Sequence, residues 1–437
     1  MPSVPRDKRR KPPPVEARPG ANPGPTVESG WEKEYGEPAA WGSPSERCHT
    51  PMALWSSGFL LLGGGDTVAT TDAVFMARAL ELAERGAGRT APNPIVGAVV
   101  VRDGRIVGEG FHARAGQAHA EVTALQAAGV AARGSTLYVT LEPCNHFGRT
   151  PPCTDAIIQA GVQQVVVAVI DPDLRVAGRG LEHLRQAGVE VSLGVLSDRA
   201  AWANRFYLTA RRLGRPRVLY KYAMTADGRI STASGNSRWV SAPPARTEVH
   251  RLRDRLDAVL VGAGTVLYDD PQLTCRIPGG RDPLRVVADS HGSTPPSARV
   301  LRPGTLLLVT ASCAPERADR LRQTGTEVEV IDADAEGHCL PKAILAALHR
   351  RNCLGVLLEG GPTLATSLLS AHLIDEIVCI FAPKLIGASA PGPFAGGHGP
   401  ERMDQAISIH HLQARPLGPD IWLTAEIEGS SIPCSQD

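Results

Sequence analysis

A histidine and a glutamate two positions apart, His119-Ala120-Glu121, are answered downstream by Pro143-Cys144 and, nine positions after Cys144, by Cys153. One imidazole and two thiolates make three of the four tetrahedral ligands of Zn²⁺, and a catalytic site leaves the fourth position to water. Glu121 is the proton carrier that such a site needs. This grouping constrains the fold more than any other feature, because His119 and Cys153, 34 positions apart, must meet around one ion. Alone, His-x-Glu is common and a buried cysteine pair is more often core than ligand. The weight of the triad comes from its flanks.

Glu121 opens a helical pattern through Val122, Leu125, Gln126 and Ala128 that stops at Gly129. Thr136 to Leu141 is a continuous β-prone run ending at Glu142-Pro143, and Cys153 starts another helix closed by Gly161. Two of the ligands therefore sit near helix starts, where the positive end of the dipole favours a thiolate. Ile95 to Val101 and Arg105 to Phe111 flank Asp103-Gly104, a hairpin signal. A helix of Phe75, Ala79 and Leu82 precedes them. A buried-strand run at Val162 to Ile170, a helix through Leu181 and Leu184, and a strand near Val189 to Val195 follow. Strands alternating with helices imply a sheet with helices on its faces.

H-x-E followed by P-C resembles the signature of the zinc nucleobase deaminases. The resemblance implies a cytidine-deaminase-like three-layer α/β domain over residues 71–213. The chain departs from the short form of that motif, P-C-x-x-C. Its insert, Asn145-His146-Phe147-Gly148-Arg149-Thr150-Pro151-Pro152, places a histidine, an arginine and turn residues beside the metal, chemistry suited to a phosphate or a polar ring.

At 437 residues the chain is too long for one ordinary core, and its formal net charge of +1 disfavours a nucleic-acid surface driven by charge. Of nine cysteines, two go to the metal and seven lack framework spacing, which fits a reducing cytoplasm better than secretion. No apolar run is long enough to span a bilayer. The nearest, Met52 to Gly65, is broken by Gly63-Gly64-Gly65 and lacks the basic lead of a signal peptide. Residues 1–66 are rich in Pro, Gly, Ser and charge, too poor in apolar surface to offset the entropy of ordering. They read as a disordered extension. A targeting or interaction tail, or a translation start at Met52 or near Val68, are the alternatives.

After Arg211-Arg212-Leu213-Gly214-Arg215-Pro216, read as a charged, turn-rich junction, Val218 to Met224 starts a second run of strands. Asp257 to Val261, Leu284 to Ala288, Leu306 to Thr310, Val328 to Ile331 and Val356 to Leu358 continue it, with a helix at Lys342 to Arg351. Leu357 to Thr363 is a strand entering a Gly-Gly turn before a helix, an arrangement whose backbone N–H groups suit a cofactor phosphate. The spacing is not G-x-G-x-x-G, so a Rossmann domain is not supported. Gly262-Ala263-Gly264-Thr265 reads as another Gly-rich turn, leading to Asp269-Asp270-Pro271 and Leu273-Thr274-Cys275-Arg276. Its arginine could hold a phosphate bidentately.

The insert ending G-R-T-P-P-C, Ala91-Pro92-Asn93-Pro94 with Val96-Gly97, Gly110-Phe111-His112, and Val176-Ala177-Gly178-Arg179-Gly180 together resemble the deaminase half of the bifunctional riboflavin-biosynthesis deaminase/reductases. Met224 to Gly228, Ser237 to Ser241, Gly264 to Arg276, Glu359 to Pro362 and Ala382 to Gly387 resemble the reductase half, whose fold is similar to dihydrofolate reductase. The resemblance covers about residues 71 to 428 and implies an NADPH-dependent α/β reductase domain at 216–428. It implies that His119, Cys144 and Cys153 hold Zn²⁺ and that Glu121 is catalytic. Ala223, Trp239, Thr265 and Asp269 would line the NADPH site, with Gly361, Pro362, Thr363, Leu364, Ala365, Thr366 and Ser367 at its phosphates. Ser237, Arg253, Leu273, Arg276 and Glu359 would contact a pyrimidine ribosyl phosphate substrate.

Duller readings exist. Trp239 could be core, and Arg253 lies in a charged helical run that is normally a solvated face. The chain has Asp171-Pro172-Asp173 where the family usually has Asp-Pro-Asn, and an ionised Asp offers only acceptors. The implied activity is deamination of the diaminopyrimidinone ribosyl phosphate, then NADPH-dependent reduction of its ribosyl chain to ribityl. A nucleoside or tRNA deaminase would want P-C-x-x-C and a basic surface. A structural zinc protein would want a fourth protein ligand, for which His146 is the candidate. No nucleic-acid or membrane partner is expected, and a homo-oligomer is left open.

Overall fold

The structure, a computed structural model, describes residues 71–147, 151–387, 389–396 and 399–429. The extension 1–66 and the insert residues Gly148, Arg149 and Thr150 lie outside them.

The first half is built on β1 (Gly97–Arg102), β2 (Arg105–Phe111), β3 (Thr136–Val139), β4 (Gln164–Val167) and β5 (Glu190–Leu193). They form one five-stranded sheet in the order β2-β1-β3-β4-β5, antiparallel on the β2-β1-β3 side and parallel from β3 to β5. The expected hairpin forms, with Asp103 at φ 50° and Gly104 at φ 72°, the paired positive φ values of a type I′ turn. The runs anticipated at 136–141 and 162–170 are strand only over four residues each, Thr136–Val139 and Gln164–Val167.

Around this sheet lie α1 (Thr71–Glu84), α2 (Ala120–Ala128), α3 (Cys153–Ala160), α4 (Arg179–Gln186), α5 (Ser197–Ala203) and α6 (Arg205–Leu213). Alternation along β1 separates the two cores. Ala98 and Val100 join Ala124, Leu137, Ile157 and Leu184 on one face, whereas Val99 and Val101 join Met76, Ala79, Val166 and Leu208 on the other. With both faces covered, the strands read as continuous apolar runs. Helix α2 lies unusually close to β2. A Cβ on Gly110 would sit 2.4 Å from the Ala120 carbonyl oxygen, and one on Gly108 2.3 Å from that of Ala124. These glycines let the helix carrying Glu121 seat directly on the sheet.

Arg211 to Leu213, read as part of a turn-rich junction, is instead the last turn of α6, capped by Gly214 at φ 64°. Charge hid it: Tyr207, Leu208 and Ala210 are buried while its arginines face outward or pair. The chain then enters β6 (Arg217–Thr225), followed by β7 (Ala258–Gly262), β8 (Leu284–Ala288), β9 (Thr305–Val309), β10 (Glu327–Val330), β11 (Gly355–Leu358), β12 (Glu376–Ala382), β13 (Ile409–Leu417) and β14 (Asp420–Ile427). The nine strands form one sheet, β10-β9-β8-β7-β11-β6-β12-β14-β13, parallel from β10 to β12 and antiparallel in its last two strands. Helices α7 (Pro243–Arg255), α8 (Ala263–Asp269), α9 (Pro315–Arg322), α10 (Pro341–Arg350) and α11 (Pro362–Ser370) complete the connections. The expected turn at Gly262–Gly264 is shorter than anticipated: Ala263 and Gly264 already belong to α8.

Ion pairs join the two sheets' layers. Arg205 of α6 donates to Glu376 of β12 at 2.6 Å, Glu376 also takes Arg217 at 2.5 Å, and Arg89 reaches Asp254 of α7 at 2.8 Å.

Candidate active sites

The three expected metal ligands come together. His119 Nδ1, Cys144 Sγ and Cys153 Sγ all lie within 4.8 Å of one another, the group of this kind found among the described residues. His119 Nδ1 is 3.1 Å from Cys153 Sγ and 3.6 Å from Cys144 Sγ, so both sulfurs converge on one nitrogen. Tetrahedral Zn²⁺ with the usual bond lengths would need about 3.6 Å between N and S and about 3.8 Å between the sulfurs. The donor set and its spacing fit zinc. His146, the candidate fourth protein ligand, is not in the group.

Each ligand is placed by a local signal. His119 is the N-cap of α2, with an extended backbone (φ −73°, ψ 162°), and Cys153 is the first residue of α3. The Cys153 backbone N–H donates to Cys144 Sγ at 3.4 Å, which brings the α3 N-terminus onto the thiolate. The Cys153 thiol, that N–H and His119 together hold the Cys144 thiol well below its ordinary range. Cys144 in turn pushes His119 up, against its burial.

Glu121, in the first turn of α2, is 3% exposed. Burial pushes its carboxyl up, His119 opposes this, and Cys153 is near enough to hydrogen-bond it. A carboxyl so placed can give and take a proton beside the metal without being a ligand. His112, to which the sequence reading gave no role, is 3% exposed and meets the His119 ring edge-on, centroids 5.4 Å apart. Its Nδ1 lies 3.1 Å from the Ala118 carbonyl oxygen and its Nε2 3.1 Å from Asn93 Nδ2. The carbonyl can only accept, so Nδ1 carries the proton and Nε2 accepts from Asn93. The sequence signal was a histidine ending the buried edge of a strand.

The carboxylate of Asp173, the departure from the family pattern, accepts from the Arg175 backbone N–H at 3.0 Å and from the Arg175 guanidinium at 3.0 and 2.7 Å, and this arginine holds it down at about 2.

The second site lies at the carboxyl ends of the parallel strands. β7 leads through α8 to β8 on one side, whereas β11 leads through α11 to β12 on the other side of β6. Between β7 and β11 the direction of winding reverses, and the crevice at such a reversal is where open α/β sheets bind ligands. The two turns flanking it touch: the Glu359 N–H donates to the Leu260 carbonyl at 2.9 Å, and a Cβ on Gly361 would lie 3.5 Å from Thr265 Oγ1. Gly361 caps α11 and Pro362 occupies its first turn, leaving its N-terminal N–H groups available. Of the residues expected at the phosphates, Ala365 is fully buried and Leu364 packs against the core. Ala365 can meet a ligand only through the main chain. Thr366 Oγ1 accepts from the Ala395 N–H at 3.0 Å.

Arg253 is not on a solvated face. Its guanidinium donates to Glu359 at 2.6 and 3.1 Å and to the Thr274 carbonyl at 2.9 Å, and Lys221 lies 3.2 Å from Glu359. Against the upward push of burial, Arg253 and Lys221 hold Glu359 down at about 2. The sequence reading missed Lys221, although a lone charge inside the apolar run of β6 was its signal. Ala223 lies two residues further along β6. Burial, Arg253 and Arg276 bring His250 down to about 4, so it is neutral near pH 7. Its Nδ1 accepts the Arg276 backbone N–H at 3.3 Å. Arg276 is exposed and makes no ion pair among the described residues, leaving a net positive field beside buried Leu273. Ser237 Oγ donates to Asp269 Oδ1 at 3.1 Å, and Arg238 donates to the Asp269 carbonyl. Trp239, read as a core alternative, is 61% exposed at this rim, with Arg246 over its ring.

Residues 69–169 match the cytidine and deoxycytidylate deaminase zinc-binding region, and residues 216–423 match the RibD C-terminal domain. The chain is 42% identical over 356 residues to the riboflavin biosynthesis protein RibD of Synechocystis sp., covering 81% of this chain and 95% of that one. It is also 42% identical over 366 residues to that of Escherichia coli, with 80% and 98% covered. Among solved structures, Acinetobacter baumannii RibD superposes with a TM-score of 0.74 at 40% identity, covering 82% of this chain and 99% of that one. The diaminohydroxyphosphoribosylaminopyrimidine deaminase/5-amino-6-(5-phosphoribosylamino)uracil reductase of Thermotoga maritima does so with 0.72 at 36% identity, covering 82% and 99%.

Proposed function

The chain belongs to the RibD family of bifunctional riboflavin-biosynthesis deaminase/reductases, and from that premise we propose which of its residues perform each step. It is a hydrolase and an oxidoreductase on one chain, working with zinc and NADPH. We assign deamination to residues 71–213 and reduction to 216–428. The substrate is the one in the Thermotoga relative's name, a diaminopyrimidinone carrying a ribosyl phosphate.

In the first site His119, Cys144 and Cys153 hold the metal. Bound there, zinc supplies the Lewis acidity that makes a hydroxide nucleophile available near neutral pH. Glu121 takes the proton of the attacking water on its carboxylate and delivers it to the departing ammonia. Its buried place on the first turn of α2, beside the His119–Cys144–Cys153 group but outside it, is the observation that carries the reading. Asp173 and Arg175 present acceptor and donor to the pyrimidine from the loop after β4.

In the second site NADPH, when bound, would supply the hydride that reduces the C=N bond at C1 of the ribosyl chain in its ring-opened imine form, a proton going to the nitrogen. Ala223, Trp239, Thr265 and Asp269 line the cofactor cleft, and the 361–367 segment faces its phosphates. Ser237, Arg253, Leu273, Arg276 and Glu359 contact the substrate carrying the ribosyl phosphate, Arg276 offering its guanidinium to the anion. The net charge of +1 supports a small-molecule substrate rather than nucleic acid. No helix among the described residues is long and apolar enough to cross a membrane. We place the enzyme in the cytoplasm, where its unpaired thiols suit a reducing environment.

Following ammonia release and NADPH oxidation separately on the purified protein tests both halves. Cys144→Ser is expected to lose zinc and deamination together while still reducing pre-deaminated substrate; stoichiometric zinc in that variant would overturn the ligand assignment. Arg276→Ala is expected to raise KM for reduction at nearly constant kcat, since a grip on phosphate is uniform binding, at a cost of about 2–5 kcal/mol if the charge pair is desolvated. Ammonia release should continue. If it stopped, the picture of two separate sites would fail.

A further inference from the structure

Glu142 is a carboxylate with neither metal nor solvent to face. It lies two residues before Cys144, is 4% exposed, and spends both oxygens on the main chain of another segment. Oε2 accepts the N–H groups of Asp171 at 3.3 Å and Gly178 at 2.9 Å, while Oε1 accepts those of Gly180 at 3.0 Å and Leu181 at 3.4 Å. The bonded segment runs from the end of β4 into α4 and carries Asp171-Pro172-Asp173 and Ala177-Gly178-Arg179. Ala177, Gly178 and Arg179 also line, with Asn145 and with Glu182, His183 and Gln186 of α4, an open hollow of about 460 Å³.

Two further contacts fix the same segment. A Cβ on Gly180 would lie 2.2 Å from the Pro143 carbonyl oxygen, so the segment's backbone touches the ligand-bearing strand end where only glycine fits. At its other end, Tyr207 of α6 donates to the Asp171 carboxylate, 3.0 and 3.1 Å from its two oxygens.

We propose that Glu142 is a positioning residue for deamination: it sets the place of the 171–181 segment against the ligand-bearing 143–144 turn, and so shapes the substrate side of the pocket. It acts through that segment and touches neither metal nor substrate. The inference rests on the deaminase reading of the first site. The geometry demands a carboxylate. A glutamine has one acceptor oxygen and one NH₂ donor, and in either flip its NH₂ would confront two N–H donors. An aspartate keeps four acceptor sites but withdraws them by one methylene.

The test is steady-state ammonia release by the full-length wild-type protein and by Glu142→Gln, Glu142→Asp and Gly180→Ala. Zinc content and NADPH oxidation with pre-deaminated substrate are measured alongside. Glu142→Gln should raise KM for deamination by about tenfold or more, with kcat changed far less, because misplaced ground-state contacts weaken binding of substrate and transition state alike. Zinc should stay near one per chain and reduction should be unchanged. Glu142→Asp should recover part of the KM. Gly180→Ala should reproduce the KM rise although alanine is the better helix former, which separates close approach from helix stability. A wild-type KM in Glu142→Gln, or deamination falling in proportion to lost zinc, would overturn the proposal. Should Glu142→Gln not fold, a wild-type KM in Gly180→Ala would overturn it instead. Absence of ammonia release from the wild-type protein would defeat the deaminase reading itself, a distinct failure.

Discussion

Glu121→Gln is expected to keep its zinc and lose deamination by about 10²–10⁴-fold, the usual contribution of a positioned general acid/base, or more if it serves at more than one step. The expectation rests on its position. The carboxyl is 3% exposed on the first turn of α2, beside the His119–Cys144–Cys153 group but outside it. Glutamine fills the same space without altering the ligands, so metal content should not change. It cannot carry the proton between water and leaving ammonia. Burial pushes the native carboxyl up, so the limb of the pH–rate profile that reports it should disappear in the variant. Zinc stoichiometry, ammonia release and NADPH oxidation measured on one preparation check all three parts. Near wild-type ammonia release would make Glu121 a structural residue.

The zinc triad was legible because each member carries its own local signal: His119 as a helix N-cap, Cys144 at a strand end, Cys153 opening a helix before Gly161. The parallel strands up to β11 were legible as apolar runs, whereas β12, β13 and β14 were not read as strands; β13 is exposed along nearly its whole length and carries no apolar run. Charge obscured other elements. The last turn of helix α6, Arg211 to Leu213, read as part of a junction, because its charges stand outside the buried stripe of Tyr207, Leu208 and Ala210. Arg253, expected at the substrate, had a solvated helix face as its duller alternative, and nothing local decided between them. Its partner Glu359 is 106 positions away, and only the adjacency of α7 and the end of β11 joins them. Lys221 was hidden for the same reason. Glu142 read as a strand terminator, since its four donors are main-chain N–H groups that no side-chain pattern reports. Periodicity shows where a side chain faces, but not which distant backbone it meets.

That distinction makes Glu359 the most sensitive point of the second half. Glu359→Gln should leave Arg253 and Lys221 facing each other in a buried site without their counter-charge, and removing one partner of a buried ion pair costs about 3–5 kcal/mol. NADPH oxidation should fall with stability, because the same cluster borders the cleft between β7 and β11. Ammonia release should persist at temperatures where the protein stays folded. The sign of the pH dependence follows from the native carboxyl, held at about 2 against an ordinary 4.5 by Arg253 and Lys221 despite burial. A depressed folded value means that the stabilisation is fully present above the unfolded value and is lost as pH falls toward 2. The gap in unfolding free energy between wild type and Glu359→Gln should therefore be full at neutral pH and narrow below about pH 4.5. Adding Arg253→Gln to Glu359→Gln should recover part of the loss, since one of the two uncompensated cations is gone, and the double-mutant cycle should show non-additivity. Equal stability of Glu359→Gln and wild type at neutral pH, or additive effects in the cycle, would mean that the three charges are solvated in solution and do not organise the cleft.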